Sequence, residues 1–213
     1  MQTSEFVFLL LTIFILAAVI FGLWLRRSSL PCPAWLAWMV ELDNPFFRNN
    51  RASEIIRRLK IEPGMRVLDF GCGPGRLTIP LARQVAPNGE VTAFDIQPAM
   101  LARVQANAHS AGLTNIRLVQ GAAGEGKLER AAYDRVLLVT VLGEIPDQKT
   151  ALREIFDSLK PGGLLSVTEV IADPHFQRRE RVRQLAAEVG FVEAAFFGNP
   201  VSYTLHLQRP ITA

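Results

Sequence analysis

Val67-Leu68-Asp69-Phe70-Gly71-Cys72-Gly73-Pro74-Gly75-Arg76 decides how this chain is read. An apolar run of strand length enters a glycine-rich turn, and the turn opens into a segment of helical period. Gly71, Gly73 and Gly75 lack the Cβ that keeps a ligand off the backbone, and they accept the positive φ of a tight turn. Spacing narrows the choice of ligand. A dinucleotide fingerprint G-x-G-x-x-G needs glycine at 76, where Arg76 stands, and no Gly-Lys-Ser/Thr follows to make a phosphate-binding loop. A carboxylate at Asp69, just before the turn, also fits poorly with a loop built to hold pyrophosphate.

Downstream, Val91-Thr92-Ala93-Phe94-Asp95-Ile96 ends a second strand on a carboxylate about 20 residues beyond the loop, where an acid can accept hydrogen bonds from both hydroxyls of a ribose. The alternative role for Asp95 is capping the helix that starts near Pro98. Apolar runs of strand length alternate with helix-period segments from Ser53 onward, the pattern of an α/β domain with a mostly parallel sheet. Strands are expected at 65–70, 90–95, 115–120, 133–140, 163–170, 191–197 and 201–208. Helices are expected at 53–60, 76–84, 98–111, 147–159 and 177–189. Asp147 precedes a segment with Leu152, Ile155, Phe156 and Leu159 on one face, and Lys160-Pro161-Gly162-Gly163 is read as its end. Gly198-Asn199-Pro200 is short enough for a hairpin, which makes the sheet mixed at its edge.

From about Met65 to Val170 the chain resembles the class I S-adenosylmethionine-dependent methyltransferases. VLDFGCGPG resembles their first motif, VTAFDIQPAM their second, YDRVLLVTVLGEIPD their fourth, and LKPGGLLSVTE the strand that follows. The resemblance implies a Rossmann-like α/β fold with a seven-stranded, mostly parallel sheet in the order 3-2-1-4-5-7-6 and helices on both faces. It implies S-adenosylmethionine lying over Gly71, Cys72, Gly73 and Gly75, with Asp69 near its amino-acid end, Asp95 on the ribose, Ile96 beside it, and Ala122, Ala123 and Thr140 completing the cofactor set. Where many relatives carry Gly-Asp-Ala after the third strand this chain has Gly121-Ala122-Ala123, so the adenine falls to Glu125 or to backbone groups near Ala122.

Methyl transfer from a sulfonium is an in-line displacement helped by orientation and water exclusion, and by a base for some acceptors. Ligands of open sheets bind outside the carboxyl ends of the strands, which brings in Thr140, Glu144, Glu169, Asp173 and His175. Glu144 and His175 are the candidate catalytic residues; each reads otherwise as a capping or surface polar group. Gly143 suggests close approach of the acceptor to the backbone, while His109 and His206 read as structural. No Asp-Pro-Pro-Tyr or Asn-Pro-Pro-Tyr follows the fourth strand, which argues against amino-methylation of nucleic acids or glutamine. The cluster Arg178–Arg183 is a solvated helix face or a contact for anionic headgroups.

The 213 residues, 49% apolar and 20% charged, suit one globular domain, and a net charge of +3 is too mild to imply a nucleic-acid partner. Cys32 and Cys72 are the only cysteines, so neither a disulfide framework nor a multi-thiol metal site is available, and no metal is expected. Mean hydropathy is high at +0.20. Its source is Phe6–Leu25, FVFLLLTIFILAAVIFGLWL, an uncharged run of about 20 residues, enough for a helix to cross a bilayer's hydrocarbon core. Only Glu5 is charged before it and Arg26-Arg27 follow, so one transmembrane anchor over 1–27 is expected, with the N-terminus outside and the rest cytoplasmic. Residues 28–52 then form a juxtamembrane linker or lid. Their apolar piece Ala34–Val40 lies on the membrane, folds over the catalytic part, or is one short packed helix. Residues 53–213 form the methyltransferase domain. The expected activity is membrane-anchored methylation of a lipophilic small molecule such as a lipid amine, quinol-like phenol or thiol. The alternatives are methylation of a soluble small molecule and a catalytically silent, cofactor-binding membrane scaffold.

Overall fold

Seven strands run in the order β3-β2-β1-β4-β5-β7-β6. They are β1 (Arg66–Phe70), β2 (Glu90–Asp95), β3 (Ile116–Gln120), β4 (Tyr133–Val139), β5 (Leu159–Val170), β6 (Val192–Asn199) and β7 (Ser202–Gln208). The first five are parallel, and β7 lies antiparallel to both β5 and β6, so the sheet is mixed at the edge the hairpin makes. Because side chains alternate across a strand, Leu68, Phe70, Val136 and Leu138 face one layer of helices and Val67, Val91 and Leu137 the other. The first layer holds α5 (Gln148–Ser158) and α6 (Arg179–Val189); the second holds α2 (Ala52–Leu59) and α3 (Thr78–Val85), with α4 (Pro98–Ser110) beside β2 and β3. A five-residue helix, α1 (Ala37–Glu41), precedes them.

The computed structural model describes residues 46–211, 37–43, 32 and 33, and isolated positions 5, 8, 11–13 and 16. The expected anchor over Phe6–Leu25 falls mostly outside the described residues, as do Arg26 and Arg27. Among the described residues no helix is long and apolar enough to cross a membrane.

Several boundaries differ from the sequence expectation by a residue or two, and two of the differences have a visible cause. The helix expected from Arg76 starts at Thr78, because Arg76 and Leu77 complete the glycine turn and Thr78 Oγ1 then donates to Asp69 Oδ2 at 2.6 Å. The fifth strand begins at Leu159 rather than Gly163, and α5 ends at Ser158, before Lys160-Pro161-Gly162-Gly163. Arg209 Nη1 donates to the carbonyls of Phe156, Asp157 and Leu159, satisfying groups that a helix C-terminus leaves open. The register steps from Tyr133↔Leu159 to Arg135↔Leu164, so the Pro-Gly-Gly residues bulge from the strand instead of ending the helix. Asp147 caps α5 as expected, accepting from Thr150 N at 3.0 Å.

Candidate active site

β1 sits between β2 and β4, where the chain order reverses, and the crevice of an open sheet forms outside the carboxyl ends of the strands at that point. The glycine loop hangs there from β2. Gly71 N and Cys72 N donate to Phe94 O at 2.8 and 3.0 Å, and Gly73 N donates to Asp95 Oδ2 at 2.9 Å. Gly71 has φ +74°, and a Cβ on it would lie 2.5 Å from Val141 Cγ2, so the loop passes the end of β4 only as glycine. A Cβ on Gly73 would meet Val40 Cγ1 alone, at 3.8 Å, which leaves open backbone facing the crevice.

Asp95 holds two backbone N–H groups, but α4 has Gln97 at its N-cap and no side-chain cap, so the capping role suggested for Asp95 is not found. Its Oδ2 holds Gly73, its Oδ1 accepts from Gln97 N at 2.9 Å, and its burial raises its pKa against the pull of these N–H groups. Asp69 lies deeper, 3% exposed, where burial raises its carboxyl to about 6 although Thr78 donates to it. Its observed contact braces the loop against α3. The Cys72 side chain points away from the crevice into an apolar cluster with Ala93, Leu101 and Val104, and burial raises its thiol. Ile96 stands 51% exposed beside Asp95. Ala122 is half-buried and Ala123 packs on the core, just after Gly121, whose N–H donates to Asp95 O at 3.1 Å. Thr140, at φ +53°, donates its N–H to Thr168 O and so ties the end of β4 to β5.

The acceptor candidates come together on the β4–β5 side of the crevice. Glu144 ends a 3₁₀ turn, Leu142–Glu144, that follows β4. His175 Nδ1 lies 4.0 Å from Glu144 Oε1 and 3.9 Å from Asp173 Oδ1. Burial, then the charges of Asp173 and Asp95, raise Glu144 to about 8. Asp173 Oδ1 accepts from His175 N at 2.6 Å, Gln177 Nε2 donates to His175 O at 2.7 Å, and Tyr203 Oη donates to Gln177 O at 2.8 Å. These bonds fix the segment after β5. The expectation for Gly143 is corrected: a Cβ there would collide with His175 O and lie 2.7 Å from Gln177 Nε2. Glycine makes room for the 173–177 segment, not for an acceptor. His206 is buried on β7 and pushed down to about 4 by burial, then by Arg58 and Arg135, in keeping with a structural residue.

The segment ahead of α2 crosses the cofactor side. Gln97 Nε2 donates to Cys32 O at 2.9 Å, Val40 stands over Gly73, and Arg103 pairs with Glu41 at 3.2 Å. Arg76 Nη1 reaches Asp43 Oδ1 at 2.9 Å and Asn50 O at 2.6 Å. Of the readings for the piece around Ala34–Val40, packing over the catalytic part fits its described residues, with Ala37 fully buried. Sequence reasoning missed Gln97, Gln177 and Tyr203 as parts of this frame. Gln97 carried a signal, standing between Asp95 and the helix-starting Pro98; the other two depend on long-range contacts and carried none. Among the described residues no cluster suited to a metal ion occurs.

The fold matches that of a SAM-dependent methyltransferase from Aquifex aeolicus with TM-score 0.74 at 17% identity, covering 84% of this chain and 99% of that one. It also matches the [4+2]-cyclase SpnF with TM-score 0.67 at 18% identity, over 75% and 80% of the two chains. At these identities the likeness is one of fold. In sequence, the chain is 35% identical to the demethylmenaquinone methyltransferase of Bacillus cytotoxicus over 55% of its own length and 50% of that protein. It is 35% identical to that of Staphylococcus aureus over 54% and 47%. The chain thus spans about half the length of these curated relatives. Residues 61–198 match the model of the methyltransferase-domain family, most of the region that carries the sheet, and the chain belongs to that family.

Proposed function

We propose that this protein transfers a methyl group from S-adenosylmethionine to a lipophilic hydroxylated aromatic acceptor of the quinol kind, on the cytoplasmic side of a membrane to which residues 6–25 anchor it. The observation that carries the reading is the acid-lined end made by Glu144, Asp173 and His175, across the crevice from the glycine loop. The similarity to demethylmenaquinone methyltransferases favours a quinol over a lipid amine or thiol. The anchor rests on the length and apolarity of the run.

The residues present fit the cofactor. Gly73 offers open backbone, Ile96 an exposed apolar face for a base, and Asp95 a carboxylate with lone pairs beyond those it gives Gly73 and Gln97. When bound, S-adenosylmethionine supplies an electrophilic methyl carbon. Glu144, raised to about 8, is the candidate base: its ionised form, the minor one at neutral pH, takes the acceptor's hydroxyl proton, and His175 Nδ1 lies 4.0 Å from its Oε1. Cys32 and Val40, which stand beside Gln97 and Gly73, would help exclude water from a bound cofactor.

A silent cofactor-binding protein is the second reading, favoured by the 173–177 segment filling the space at Gly143 where an acceptor was expected. Calorimetric titration of the full chain in detergent with S-adenosylhomocysteine, against NAD as control, tests the cofactor. Radiolabelled transfer to reduced demethylmenaquinone tests the reaction. Micromolar binding with labelled product is expected. Binding without transfer to any quinol supports the silent reading, and absence of binding by folded protein removes both.

A further inference from the structure

Glu169 is the next-to-last residue of β5, paired with Tyr203 of β7 and one step beyond the Thr168 carbonyl that takes Thr140 N. It is 1% exposed. Its Oε2 accepts from Gln177 N at 3.1 Å, which places it under the clamped 173–177 segment, while its Oε1 has no hydrogen-bond partner. An unsatisfied buried carboxylate oxygen carries a desolvation cost of about 1–3 kcal/mol or more.

We propose that Glu169 positions the methyl acceptor, its Oε1 hydrogen-bonding an uncharged oxygen of the acceptor ring, so that the site takes neutral hydroxylated aromatics and rejects anionic ones. The proposal rests on the methyl-transfer reading of the same crevice. The groups facing Glu169 are Asp173 and Glu144 on the crevice side and the Tyr203 hydroxyl from β7, with His175 beside the two acids. Negative neighbours disfavour an anionic ligand. Burial, reinforced by Asp173 and Glu144, holds the Glu169 carboxyl up at about 8, so at neutral pH it keeps a proton to donate. That suits a phenol or carbonyl oxygen. With Glu144 taking a proton from one hydroxyl of a hydroquinone, Glu169 is left to hold the other oxygen and set which ring edge meets the methyl donor.

The test is equilibrium binding of the fluorescent phenol 1-naphthol, with 1-naphthoate and 1-naphthylmethylammonium as comparisons, to the full chain loaded with S-adenosylhomocysteine. Glu169→Gln keeps an oxygen for Gln177 N and presents an N–H donor in place of the carboxylic proton; Glu169→Leu removes both. The expected result is naphthol binding about tenfold or more tighter than 1-naphthoate and no weaker than the ammonium, kept within about threefold in Glu169→Gln and weakened about tenfold or more in Glu169→Leu, with S-adenosylhomocysteine affinity unchanged. Should Glu169→Leu fail to fold, loss of the preference for naphthol over naphthoate in Glu169→Gln overturns the assignment. Unchanged naphthol affinity in a folded Glu169→Leu, or tighter binding of the ammonium, also overturns it. Glu169-dependent naphthol binding without methylation of demethylmenaquinol would sink the quinol reading and leave Glu169 in place; methylation with an acceptor KM indifferent to Glu169→Leu would do the reverse.

Discussion

One missing methyl group at Gly143 sets the acceptor end. Its backbone needs no positive φ, so alanine is excluded there by contact alone, with His175 O, His175 Cβ and Gln177 Nε2. Gly143→Ala forces the 173–177 segment outward, with an expected loss of about 1–3 kcal/mol of stability. Acceptor turnover falls with it while S-adenosylhomocysteine affinity holds, because the glycine loop lies on the other side of the crevice; thermal melts and calorimetry read the two effects. The raised carboxyls give a second expectation. Glu144 and Glu169 have folded pKa values of about 8 against an ordinary 4.5. The folded state therefore binds more protons than the unfolded state between those values, and stability falls as pH rises from about 4.5 to about 8. Melts of Glu144→Gln and Glu169→Gln across that range test it, and a decline as steep as wild type in both would contradict the assignment. The glycine loop and Asp95 were legible in sequence because their chemistry is local, a strand, a turn and an acid in order. Gly143 was misread because what fills its space arrives from beyond β5.

Elements were legible wherever period and punctuation agreed. The β-hairpin, the α5 cap at Asp147 and the alternation of the parallel strands follow from short-range signals, and the sheet order follows from the family resemblance. The start of β5 did not, because Arg209, far along the chain, closes α5 and lets Pro161-Gly162-Gly163 bulge. The piece Ala34–Val40, within the 32–43 segment, was left between three readings, since composition alone does not say what a short apolar helix packs on. Its described residues Cys32 and Val40 stand beside Gln97 and the glycine loop, so the segment is expected to gate cofactor exchange. Asp43 is its hinge-side tie, accepting from Arg76 Nη1 at 2.9 Å and Ala52 N at 2.8 Å. Losing these bonds, worth about 1.5 kcal/mol together, makes Asp43→Ala release S-adenosylhomocysteine up to about tenfold faster, with faster association as well. Stopped-flow binding measures both rates; unchanged rates would mean that the segment does not gate the loop.

At the scale of the whole molecule, the anchor and the acceptor make one argument. An acceptor with a long apolar tail is dissolved in the bilayer, and a protein tethered through residues 6–25, as proposed, would meet it at a raised effective concentration. Trp38 and Leu42, 56% and 62% exposed one helical turn apart, put apolar surface on the same segment that covers the glycine loop. Tethering gives no advantage for an acceptor dissolved in water. Removing residues 1–27 should therefore lower the rate on vesicle-borne demethylmenaquinol about a hundredfold or more and leave the rate on a short-chain, water-soluble analogue within about twofold. Flotation of the full chain with vesicles, and its loss in the truncated chain, is the matching physical readout. Equal losses on both acceptors would place the segment in the catalytic fold rather than in the membrane. No loss on either, with flotation abolished, would show that the protein reaches a lipophilic acceptor without its anchor, and the run over residues 6–25 would then serve location alone.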